Sequence, residues 1–173
     1  TGLFSFHVFQ QYQSADYTLI DVAEQMLELS KKRFASAEER FSFITGDYRT
    51  ALPDSLFDLV ISSLSIHHLD DEDKQKLFRN IYEHLTPGGA FINVDQIKAP
   101  HDYFQKLYWS TWLKKVRHAG ATEEQVQKSI SRRTEFDQDS TMPDQLRWLQ
   151  EGGFEIVDCL YHYYFVGVFY ARK

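Results

Sequence analysis

The apolar positions along the chain fall into short blocks separated by helical stripes. "YTLID" (17–21), "FSFIT" (41–45), "FDLVISSLS" (57–65) and "AFINVD" (90–95) are rich in β-branched and aromatic residues, and each reads as a strand. Between them the apolar residues recur at three- and four-residue spacing. Leu3, Phe4, His7, Val8 and Gln11 predict a helix over 2–13, and Ala23, Met26, Leu27, Ser30 and Phe34 predict a second. A third begins at the acidic run Asp70–Asp73, which complements a helix dipole, places Leu77, Ile81 and Leu85 on one face, and stops at "TPGG" (86–89). Alternating strands and helices with short connections argue for an α/β fold, a doubly wound parallel sheet covered on both faces. The continuous apolar middle of 57–65 predicts a strand buried on both sides.

Residues 100–135 interrupt the alternation with two helical segments and no strand between them, an insertion placed over the ligand edge of such a sheet. A further helix is expected over 143–154. The closing stretch 154–173 reads as two β segments joined near His162, although no Asn-Gly or Asp-Gly marks a turn. No repeat, low-complexity tract or linker divides the chain. A single domain over 1–173 is expected, with 100–135 as a substrate lid.

Composition narrows the function classes. No apolar run approaches the roughly 20 residues that cross a bilayer, so no membrane partner is expected. The net charge of −6 disfavours direct binding to nucleic acid. The single cysteine, Cys159, excludes an intramolecular disulfide and any multi-cysteine zinc site. With no signal-peptide pattern at the start, a cytoplasmic location is the expectation. The apolar neighbours of Cys159 predict a buried thiol.

Several residues are candidates for chemistry. Asp21 ends a strand 19 positions after Gly2 (21 − 2), the spacing at which dinucleotide-type folds place a carboxylate on ribose hydroxyls; a helix N-cap is the alternative. Gly46-Asp47 follows the next strand, where Asp can accept from an adenine amine or simply make a turn. "SSLSIHHL" (62–69) lies just beyond a central strand's carboxyl end. There His67 or His68 can serve as general base or pack as ordinary loop residues, while a metal role is disfavoured because adjacent residues rarely face one site. Aromatics concentrate at 103–112 and 161–170, most of them expected in the core, and some of 103–112 walling a substrate pocket. Lys114, Lys115, Arg117, Lys128, Arg132 and Arg133 form a basic cluster, read as a solvated helix face, with anion or RNA-phosphate contact the alternative.

Taken in order, "TGLFS", "LIDVAEQML", "ITGDY", "FDLVISSLSIHHL", "HLTPGGAFINVDQ" and "GFEIVDCLYHYYFVGVFYARK" resemble the class I S-adenosylmethionine-dependent methyltransferases, over nearly the whole chain. The resemblance implies a Rossmann-like sheet of order 3-2-1-4-5-7-6, with strand 7 antiparallel, and S-adenosyl-L-methionine as cofactor. It assigns Gly2 to the end of the glycine loop, Asp21 to the ribose, Val22 and Met26 to the adenine faces, and Asp47 to the adenine amine with Tyr48 beside it. Ser63 and His68 match the motif after the fourth strand. The family's strand 1 and most of its glycine loop have no counterpart ahead of "TG", so the chain is expected to be N-terminally truncated, with two unpaired inner strand edges that a partner in a homodimer could fill. The implied activity is methyl transfer to a small-molecule or tRNA-modification-related acceptor. Two rivals stand beside it: carboxy-S-adenosylmethionine synthase-like remodelling of the cofactor, and an inactive cofactor-binding scaffold.

Overall fold

The computed structural model describes all 173 residues, which divide into two compact units, Thr1–Ser55 and Leu56–Lys173. The first contains α1 (Leu3–Gln11), β1 (Tyr17–Asp21), α2 (Glu24–Arg33), a 3-10 segment (Ala35–Arg40) and β2 (Phe41–Thr45). β1 and β2 pair in parallel from Tyr17↔Phe41 to Asp21↔Thr45. Phe34, Ala37 and Phe41 are buried, with Phe6, Phe9, Tyr17, Leu19 and Phe43 packed around them. Phe34 and Phe41 stack with ring centroids 3.9 Å apart. Burial of a phenylalanine contributes about 1.5–3 kcal/mol, so this aromatic cluster is what holds two helices onto a two-stranded sheet.

The second unit contains β3 (Phe57–Ser63), α3 (Asp71–Glu83), β4 (Leu85–Gln96), α4 (Asp102–His118), α5 (Glu123–Phe136), α6 (Met142–Glu151), β5 (Ile156–Tyr163) and β6 (Val166–Arg172). Its sheet has the order β3-β4-β6-β5, with β3 and β4 parallel and β6 antiparallel to both neighbours. The core gathers Leu77, Phe78 and Ile81 of α3, Leu85 and Phe91 of β4, Trp148 and Leu149 of α6, Phe154, and Phe169 and Ala171 of β6. No helix is long and apolar enough to cross a membrane.

The strands form two sheets, as expected of a chain without strand 1, while several other sequence expectations change. β3 is an edge strand with no fully buried residue, because it pairs with β4 alone. "TPGG" stops α3 but also lies inside β4: the ladder jumps from Phe57↔Leu85 to Leu59↔Ala90, and Gly88, at φ 80°, turns through the irregularity. Leu85 therefore belongs to the sheet, not to the face of α3. The C-terminal hairpin turns at Tyr164-Phe165, two residues beyond His162, with Tyr164 at φ 51° in a position that glycine usually fills. Cys159 is half-buried, since β5 is the other edge of the sheet. Tyr103, Phe104, Tyr161 and Tyr163 are exposed rather than core, while Phe165 and Phe169 are buried.

Candidate functional site

In the first unit two carboxylates stand at the carboxyl ends of adjacent parallel strands. Asp21 closes β1, and its Oδ1 accepts a hydrogen bond from the Ala23 N–H at 2.8 Å, which steers the chain into α2. Its Oδ2 makes no hydrogen bond within the chain. Asp47 stands two residues beyond β2, where the Arg49 side chain donates to both of its oxygens, Nε to Oδ1 at 3.1 Å and Nη2 to Oδ2 at 2.6 Å. The guanidinium beside it holds the Asp47 carboxyl below its ordinary range. Val22 and Met26 expose apolar surface, 64% and 40% respectively. Tyr48 is half-buried beside Asp47. Gly2 precedes α1 at φ 65°, and a Cβ there would come within 2.9 Å of Phe34 Cε2, so its glycine requirement is already met by intrachain packing.

The second unit builds a polar knot where β3 and β4 end. Leu64, at φ 51°, extends the ladder through its N–H to the Val94 carbonyl, then turns the chain past Ser65 into a 3-10 turn, Ile66–His68. Ser63 ends β3 on the exposed side. The turn brings the two adjacent histidine rings to 4.1 Å between centroids. His67 is buried: its Nδ1 lies 2.5 Å from Asp95 Oδ1, its backbone N–H donates to Asp95 Oδ2, and its Nε2 lies 3.6 Å from Asp137 Oδ1. His68 is half-exposed, with Nδ1 3.4 Å from that same Asp137 oxygen and 3.3 Å from the Phe136 carbonyl. Gln96 Nε2 donates to Asp137 Oδ2 at 2.8 Å.

Behind the histidines, Lys74 of α3 is buried and donates to the Gln138 carbonyl and to Ser140 Oγ at 2.6 Å. Burial pushes its ammonium pKa down, opposed by Asp71, Asp139 and Asp95. The segment that follows α5 is thus fastened to α3 by Lys74 and to the turn after β3 by Gln138 N–H donating to the His67 carbonyl at 2.8 Å. An open pocket of about 290 Å³ is lined by His68, Arg132 and Phe136. The remaining basic residues of the insertion are partly tied up: Arg117 pairs with Glu123, Arg133 pairs with Asp139 and lies 4.3 Å over the Phe165 ring, and Lys115 lies 4.3 Å over Tyr163.

Of the residues singled out in the sequence, the structure brings Asp21 and Asp47 to one sheet edge and gathers His67 with His68. Asp95, Asp137 and Lys74 were missed. Asp95 follows an apolar alternation and Lys74 an acidic run, so each reads locally as an ordinary strand end or solvated helix face. Only contacts across 28 and 66 residues reveal them.

A family model described as a methyltransferase domain matches residues 1–89. Among curated relatives, a ubiquinone/menaquinone biosynthesis C-methyltransferase of Ruegeria sp. is 34% identical over 113 residues, 62% of this chain and 44% of the relative. A carboxy-S-adenosyl-L-methionine synthase of Staphylococcus epidermidis is 28% identical over 114 residues, 63% of this chain and 48% of the relative. The chain spans less than half the length of these relatives. The solved apo structure of the S-adenosylmethionine-dependent methyltransferase SibL superposes with a TM-score of 0.71 at 21% identity, covering 99% of this chain and 47% of that one, which shows a shared Rossmann-like fold. With a match over 89 of its 173 residues, this chain belongs to the methyltransferase domain family.

Proposed function

We propose that the chain is the greater part of an S-adenosyl-L-methionine-binding domain that transfers a methyl group to a small-molecule acceptor. The observation that carries this reading is the pair Asp21 and Asp47 at the ends of adjacent parallel strands, with exposed Val22 and Met26 beside Asp21. Asp21 Oδ2 retains the lone pairs that a ribose hydroxyl would meet, and the two apolar side chains offer a face for a purine. Asp47, flanked by Tyr48, would accept from the adenine amine once Arg49 yields. Gly2 completes the proposed cofactor contacts of the first unit, and Ser63 and His68 are the proposed cofactor contacts of the second. When bound, the cofactor supplies a methyl group already activated by its sulfonium, so the protein's tasks are to orient the acceptor and exclude water. The insertion over 100–135 acts as the lid. Of the two histidines, His68 is the one an acceptor can reach for proton transfer, because both ring nitrogens of His67 face buried carboxylates.

Calorimetric titration with S-adenosylhomocysteine tests the cofactor half of this reading. Binding is expected in the wild-type chain, and Asp21→Ala should weaken it about tenfold or more, as expected when charge-assisted hydrogen bonds worth about 1.5–3 kcal/mol are lost. Equal affinity in both proteins would remove Asp21 from the site. A second reading, remodelling of the cofactor into a carboxylated form, is favoured by Arg132 in the pocket beside His68, where a guanidinium suits a carboxylate donor. Product mass separates the two, since the carboxylated cofactor is heavier than S-adenosylhomocysteine.

A further inference from the structure

We propose that His67, His68 and Asp137 form a binding site for one divalent transition-metal ion of the zinc class. The spacing is the first support. His67 Nε2 and His68 Nδ1 lie 3.6 Å and 3.4 Å from the same atom, Asp137 Oδ1, and all three ligand atoms lie within 4.8 Å of one another. Zinc bonds of about 2.0–2.1 Å at tetrahedral angles put neighbouring ligand atoms about 3.3–3.4 Å apart, so both histidine–carboxylate spacings are near that value and the two imidazole nitrogens close toward it.

The surrounding contacts are the second support. Asp95 Oδ1 sits 2.5 Å from His67 Nδ1 and accepts from the Gln96 N–H at 2.9 Å, which orients the ring with Nε2 toward Asp137. Gln96 Nε2 holds Asp137 Oδ2, which leaves Oδ1 as the donor atom. His67 Nε2 thus faces Asp137 Oδ1 at 3.6 Å, beyond hydrogen-bond reach, with side chains only 3% and 7% exposed. Of the neighbouring cations, Lys74 is engaged with Asp71, Gln138 and Ser140, and Arg133 with Asp139, while Arg132 lines the pocket beside His68.

His68, half-exposed and lining the pocket, provides the entry path, and coordination draws its Nδ1 from the Phe136 carbonyl toward the ion. The fourth position opens on that pocket and takes water. A metal here joins the turn after β3 to the end of α5, and so fixes the insertion at one point.

The chelator-treated full chain is titrated with Zn²⁺ by calorimetry and with Co²⁺ by visible absorption. One ion per chain is expected, with a Co²⁺ band of tetrahedral intensity. Asp95→Asn should weaken Zn²⁺ binding about 10–100-fold through the orientation of His67, and Asp137→Ala should abolish the Co²⁺ band, while His162→Ala, a histidine outside the cluster, should leave both unchanged. The wild-type Co²⁺ spectrum needs no variant to fold. No band in the wild type, or a band that persists in Asp137→Ala, overturns the site. So does a nitrogen NMR spectrum showing His67 doubly protonated at neutral pH in the presence of saturating Zn²⁺.

Discussion

Arg49 grips the carboxylate of Asp47 through two nitrogens while its own backbone N–H donates to the same group at 2.9 Å. Any amine that Asp47 recognises must displace that guanidinium, so Arg49 acts as a competitor built into the turn. Arg49→Gln is therefore expected to tighten S-adenosylhomocysteine binding several-fold by calorimetry, the scale on which exposed ion pairs of about 0.2–1 kcal/mol are won or lost. Unchanged affinity would detach Asp47 from the adenine. Lys74 makes the opposite case, a cation held in place by burial. Lys74→Met leaves the Gln138 carbonyl and Ser140 hydroxyl without their donor and should cost about 1–3 kcal/mol in urea denaturation. The pH dependence carries a sign. With its folded pKa below the ordinary 10.5, Lys74 loses its proton earlier in the folded chain than in the unfolded one. Between those two values the unfolded chain binds more protons, so stability from this residue rises with pH, and the gap between wild type and Lys74→Met should widen toward pH 10.5.

At the scale of elements, the end of α6 depends on a close approach. Gly153 follows the helix at φ 112°, and a Cβ there would sit 3.0 Å from Cε1 and Cζ of Tyr82. Gly153→Ala should destabilise the second unit by about 1–3 kcal/mol, read as a lower thermal midpoint. Much of this architecture was legible in the sequence. β1 and β2 have the boundaries their β-branched and aromatic runs predict, because nothing in those stretches competes with extended structure. β4 begins five residues earlier than its apolar run predicts, since Thr86-Pro87-Gly88-Gly89 is a strong helix stop and its pairing with β3 depends on Phe57, 28 residues upstream of Leu85. The hairpin at Tyr164-Phe165 lacks Gly or Asn; Tyr164 is instead held by edge-to-face packing on Tyr108 of α4 at 5.3 Å, a tertiary contact that overrides turn chemistry. The site divides the same way. Asp21 and Asp47 announce themselves by position after strands, whereas the His67 knot draws partners from β4 and the end of α5, and no local pattern encodes that convergence.

At the scale of the whole molecule, the two compact units differ in the kinds of aromatic residue they contain. All three tryptophans, Trp109, Trp112 and Trp148, lie in Leu56–Lys173, while Thr1–Ser55 contains only Tyr12, Tyr17 and Tyr48 besides its phenylalanines. The chain is therefore labelled by nature for optical dissection. Light at the red edge of absorption excites tryptophan alone and monitors the second unit, whereas near-ultraviolet dichroism adds the stacked Phe34–Phe41 and Tyr17–Phe41 rings of the first to the ring pairs of the second. Coincident loss of both signals in urea would mark one cooperative transition, and separated midpoints would mark two. The first unit, resting on a two-stranded sheet and one aromatic cluster, is expected to melt first, so its dichroic signal should fade while tryptophan emission still reports a folded neighbour.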